Sequence, residues 1–118
     1  MKRLAKSFAF AMNGIRLCFA REPNFRIHAA FTLLVTAGGY LLHISPQEWV
    51  CVLLCTGAVV CMEMLNTALE QLCDLVQREK HPVIGTVKDI AAGAVLVSAV
   101  VAFTCGIIIF LPKIIRLI

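Results

Sequence analysis

The chain has no glycine-rich phosphate loop of either common kind, neither GxxxxGK[ST] nor GxGxxG, which excludes a conventional nucleotide cradle. Its six cysteines form no CxxC pair and no zinc spacing, and they read as small buried hydrophobes. The three histidines, His28, His43 and His81, have no ligand-like neighbours in sequence, which argues against a structural zinc site. Charge is scarce, at 15% of residues, and the long run from Ile90 to Leu111 carries none. No apolar stretch with a cleavage site follows the basic start Met1-Lys2-Arg3, so no cleavable signal peptide is expected.

Apolar residue is abundant instead. The 118 residues are 60% hydrophobic with mean hydropathy +0.89, against about 45–50% in ordinary soluble domains. A core this small cannot hide that much apolar surface, so residues 1–118 read as one all-α integral membrane domain. Residues 2–20 pattern as an amphipathic surface helix, with Leu4, Phe8, Ile15 and Phe19 on one side and Lys2, Lys6, Asn13 and Arg16 on the other. Three transmembrane helices follow, over 25–42, 46–76 and 85–111. Ser45-Pro46-Gln47-Glu48 has the pattern of a capped helix start. Gln77 to Gly85 reads as a polar loop, and Pro112 as the end of the last span. Ala92, Ala99 and Gly106 recur every seven residues and offer a close-packing face.

The net charge of +4 is uneven. Most Lys and Arg residues lie before the first span or between the last two, which puts the N-terminus on the cytoplasmic side. Lys113 and Arg116 are exceptions on the far side. Basic residues that flank apolar spans suit anionic lipid and phosphate, so no nucleic-acid partner is expected.

Acid inside the apolar second span is the main chemical signal. Glu63, Asn66, Glu70 and Asp74 fall within about 80° of one another on a helix. Each ionisable group at bilayer depth costs roughly 2.5–3.5 kcal/mol, so such a stripe calls for a use. Glu22, the stripe, and Lys88-Asp89 converge on one side of the membrane. Carboxylates with a lysine suit Mg²⁺ and phosphate, and a further carboxylate can take a hydroxyl proton. From the residues alone, phosphoryl transfer competes with an ion or proton path and with an assembly seam between helices.

The octet Glu63-Met64-Leu65-Asn66-Thr67-Ala68-Leu69-Glu70, then Asp74, then Lys88-Asp89-Ile90-Ala91-Ala92-Gly93-Ala94-Val95-Leu96, resembles the prokaryotic diacylglycerol kinase family over nearly the whole chain. The resemblance implies a homotrimeric lipid kinase of the bacterial cytoplasmic membrane, using ATP and Mg²⁺ on a membrane lipid alcohol. It implies that Glu63 is the catalytic base and that Glu22 and Glu70 bind the metal, with Asn66 and Asp74 in support. The implied ATP contacts are Arg3, Phe10, Glu22, Glu70, Glu79, Lys80, His81, Lys88 and Asp89. Phe10 stands where one branch has tyrosine, so a hydroxyl contact there is missing. Phe25 and Arg26 are implied to meet the lipid. Glu22-Pro23-Asn24-Phe25-Arg26-Ile27-His28, with Glu48-Trp49 and Phe110-Leu111-Pro112, looks like the undecaprenol branch rather than the diacylglycerol branch. A small transporter or proton path stays as the alternative from another class.

Overall fold

The structure is a computed structural model that describes residues 1–118, and it is all-helical. In order, α1 is Lys2–Arg21, α2 Pro23–Leu41, α3 Pro46–Val76 and α4 Pro82–Leu117. Helices α3 and α4 are long and apolar enough to cross a membrane. At 1.5 Å per residue they measure about 46 and 54 Å, longer than a hydrocarbon layer of about 30 Å. The radius of gyration is 17.4 Å, against about 13.5 Å for a compact soluble domain of this length. The excess reflects an open arrangement with many exposed apolar side chains.

The expected α3 start is present in full. Ser45 Oγ accepts from the Glu48 amide at 3.2 Å, and Glu48 Oε1 accepts from the Ser45 amide at 2.9 Å. This reciprocal cap satisfies two donors that a helix start leaves orphaned. The end of α2 is closed just as firmly. Ile44 N–H donates to Gly39 O at 3.2 Å and His43 N–H to Tyr40 O at 3.4 Å. These are the two bonds of a Schellman closure, with His43 in the left-handed position at φ 52°. Between the two caps lies a turn so tight that α2 folds back along α3. Trp49 packs edge-on against Tyr40 at 5.8 Å.

Helix α4 returns antiparallel to α3 in a steady register. Asp74 pairs with Lys88 near one end and Glu48 with Lys113 near the other, while Val52 shares a core cluster with Ile109. That cluster of Ile44, Val52 and Ile109, with Val35, Trp49, Cys51 and Phe110 against it, is the hydrophobic core. Gly39 is needed there, because a Cβ would lie 2.8 Å from the Trp49 ring and 3.0 Å from Ile44.

Two expectations about α4 need correction. It starts at Pro82 rather than residue 85, because proline suits the first helical position and His81 Nδ1 accepts from the Val83 amide at 3.2 Å. It also runs through Pro112 to Leu117. Lys113 holds the following turn, donating to Glu48 Oε2 at 2.8 Å and to Ile109 O at 3.4 Å. The same pair accounts for one of the two basic residues that contradict the charge asymmetry, since Glu48 neutralises it. Helix α2 likewise starts at Pro23, with proline again at its first turn. The cysteines are all free, but not all buried: Cys61 is exposed, and Cys51, Cys55 and Cys105 are half-buried between α3 and α4.

Candidate functional site

Folding buries one end of the acidic stripe and leaves the other, at Asp74, exposed. Glu63 is 3% exposed, Asn66 8% and Thr67 6%, in a helix where most residues are open to lipid or solvent. Their burial comes from α2 and from the end of α1, which cover this face of α3. The α1–α2 corner is pinned by Phe19, whose ring meets the buried Phe25 edge-on at 4.8 Å. Arg26 reaches back to donate to Phe19 O at 2.8 Å and Ala20 O at 3.4 Å, satisfying carbonyls that the end of α1 leaves free. Phe25 and Arg26 therefore hold the corner that presents Glu22.

Glu22 and Glu70 both lie close enough to Glu63 for their charges to be felt there. Cys18 of α1 belongs to the same cluster. Burial pushes its thiol up, and Glu22 and Glu63 push it further, so it is not a reactive thiolate. One turn along α3, Asn66 Nδ2 donates to Glu70 Oε1 at 3.3 Å. Asn66 Oδ1 and Thr67 Oγ1 are buried with no protein partner. Buried polar atoms are almost always bonded, so a pair of orphans beside two carboxylates points to a ligand. All the donors are hard oxygens, the chemistry that fits Mg²⁺. Glu22, Glu70 and Asn66 are the residues able to hold it.

Lower on the stripe, Lys88 Nζ sits 2.5 Å from Asp74 Oδ1, partly exposed. Its partner is thus Asp74, fourteen residues back, and not the adjacent Asp89. Lys88, Asp74 and Glu70 form the outward rim of the site. Glu79, Lys80 and His81 lie exposed in the α3–α4 connection beside that rim.

Two expected residues are not brought to the cluster. Arg3 and Phe10 are exposed on α1, and Phe10 is 75% open. Arg3 lies nineteen residues before Glu22 along one helix, about 28 Å away at 1.5 Å per residue. Within one chain Arg3 cannot touch the same phosphate as Glu22.

Two residues at the cluster were missed by the sequence reading. His28 of α2 places Nε2 3.7 Å from Glu63 Oε2, with side chains 22% and 4% exposed. No local signal could have found it, because the two are thirty-five residues apart and meet only through the α2–α3 turn. Thr67 did carry a signal, since it follows Glu63 by four positions and so shares the stripe.

An apolar cavity of about 570 Å³ opens between α2, α3 and α4. Its lining extends from His28, at the acidic cluster, past Val35, Val59 and Phe103 to Ile114 near the capped end. The site therefore joins three parts: an acidic, oxygen-rich pocket, a charged rim, and an apolar groove of lipid-like character.

Comparison with known proteins agrees with these parts. The profile of the prokaryotic diacylglycerol kinase family matches residues 9–110. The chain is 42% identical over 113 residues to the undecaprenol kinase of Bacillus subtilis, spanning 96% of this chain and 92% of that one. It is 37% identical over 115 residues to a diacylglycerol kinase of Synechocystis sp., spanning 97% and 66%. To the diacylglycerol kinase of Escherichia coli K12 it is 28% identical over 100 residues, spanning 85% and 82%.

Proposed function

This chain belongs to the prokaryotic diacylglycerol kinase family, and from that premise we propose that it transfers the γ-phosphoryl group of ATP to the hydroxyl of undecaprenol. The observation that carries this reading is the apolar groove whose lining reaches His28, 3.7 Å from the Glu63 carboxylate. A lipid chain lying there with its hydroxyl at the His28 end brings it beside Glu63, where the carboxylate takes the proton as the oxygen attacks the γ-phosphorus and ADP leaves. Glu22, Glu70 and Asn66 would hold Mg²⁺, and the ion would offset negative charge on the phosphates. Lys88, poised by Asp74, with Asp89, Glu79, Lys80 and His81, receives the nucleotide at the exposed rim. Phe25 and Arg26 border the lipid side of the corner. The transporter or proton-path alternative gives way to the family's kinase activity.

Helix α2 is the third membrane span in this proposal, and the N-terminus and rim face the cytoplasm, where ATP is found. The active form is a homotrimer. The gap of about 28 Å between Arg3 and Glu22 supports an oligomer, because an Arg3 that meets the phosphates has to come from a neighbouring copy. Mixing a Glu63→Gln subunit with an Arg3→Ala subunit tests it: activity regained in the mixture supports a shared site, and none regained overturns it.

The substrate assay uses purified protein, labelled ATP, Mg²⁺, and undecaprenol and diacylglycerol at equal mole fraction in one bilayer. A higher kcat/KM for undecaprenol is expected. A preference for diacylglycerol overturns the acceptor and leaves the kinase chemistry standing. No transfer to any lipid alcohol overturns both. Cross-reaction is expected, because apolar pockets discriminate between similar ligands by only about 1–3 kcal/mol.

A further inference from the structure

We propose that His28 is the positioning residue for Glu63, holding its carboxylate toward the mouth of the apolar groove. The inference rests on the reading of Glu63 as the base. Glu63 is nearly sealed from solvent, and the groups that face it are unequal. From α3 comes Glu70, from the α1–α2 corner Glu22, and from α1 Cys18. Two of these are carboxylates that repel it. Asn66 Nδ2 is committed to Glu70. His28, from α2, is the one basic side chain within ion-pair reach. At 3.7 Å the contact is longer than a hydrogen bond, so it sets direction without tying up the oxygen that must accept a proton.

The residue type suits that task. Lysine or arginine at this distance would place a permanent cation beside the base and weaken it. An imidazole can hold a carboxylate without a fixed charge. The placement suits it as well. His28 lines the groove on one side and faces Glu63 on the other. Thr32 Oγ1 donates to His28 O at 2.9 Å, and Thr36 Oγ1 to Thr32 O at 2.7 Å, a ladder that stiffens this stretch of α2.

The test compares His28→Gln, which keeps a polar contact, with His28→Leu, which removes it and packs readily in an apolar groove. Both are measured as intact protein in bilayers, with thermal midpoints to establish folding. His28→Leu should lower kcat by roughly 10–100-fold, the usual result of removing a group that orients a functional ligand. KM for ATP and for lipid should stay within about twofold of wild type. His28→Gln should recover most of the lost kcat. In a Glu63→Gln background, His28→Leu should cost nothing more, because a positioning residue has nothing left to position.

A His28→Leu enzyme within about threefold of wild type overturns the proposal. So does a change confined to lipid KM, which would make His28 a groove contact only, or losses that multiply in the double variant. Full activity in Glu63→Gln alone removes the base itself and the proposal with it, and that outcome is read from the single variant without reference to His28.

Discussion

At the turn between α2 and α3, every buried polar side-chain atom has a partner. Ser45 and Glu48 cap each other, Glu48 takes Lys113, and the Schellman closure satisfies the end of α2. Some twenty residues along α3 the opposite holds. Two buried polar atoms are orphaned, and carboxylates crowd one another with a single histidine against them. The capped end is only half-buried and the acidic end nearly sealed, so the orphaned atoms lie where burial is deeper. Polar groups at the capped end are consumed in closing the chain. At the acidic end two polar atoms stay unpaired, at a cost in folding energy. Such unsatisfied groups cluster at functional sites.

Substitutions should separate the two ends cleanly. The largest effect is expected from Glu63→Gln, which keeps size and removes the base. Turnover should fall about 10²–10⁴-fold with little change in thermal midpoint, measured on the same preparation. An unfolded variant would make Glu63 a structural residue and erase the contrast. Glu22→Gln and Glu70→Gln come next. Each should lower activity at fixed Mg²⁺ and shift the Mg²⁺ titration upward, with partial rescue at high metal because the other oxygen ligands remain. If both titrate like wild type, the oxygens at this end serve another purpose.

At the capped end the readout should be stability and not turnover. Gly39→Ala drives a methyl into Trp49 and Ile44 and should cost about 1–3 kcal/mol, the range for overpacking. Its neighbour sharpens the point: at Gly38 a Cβ would sit 3.6 Å from Phe110, an ordinary contact, so Gly38→Ala should fold as well as wild type. The smallest effect is expected from Ser45→Ala, about 1 kcal/mol from the lost cap, with kcat per folded molecule unchanged. Denaturation followed alongside activity measures all three.

Legibility in the sequence followed the range of each interaction. The Ser45 cap was readable because its partners are three residues apart, and the acidic stripe because it recurs at the helical period. Pro112 misled, because a proline near the end of an apolar run is usually a stop. The contact that carries the chain past it, Lys113 with Glu48, spans sixty-five residues. Asp74 and Lys88 show the same limit: the sequence set Lys88 beside Asp89, but adjacent positions on a helix point to different sides, and the antiparallel return of α4 gives Lys88 to Asp74.

By itself, then, the sequence determined an all-helical membrane chain, the polar stripe at Glu63, Asn66 and Glu70, and the family whose octet it carries. These depend on period, local caps and residue order, which a chain holds before it folds. Only the tertiary structure decided that His28 faces Glu63, that Arg3 lies away from the cluster, and that an apolar groove begins at His28. Those facts depend on the register of one helix against another. That register is fixed by the tight turn at residues 42–45 and by the packing of Trp49 on Gly39, and no single helix contains it.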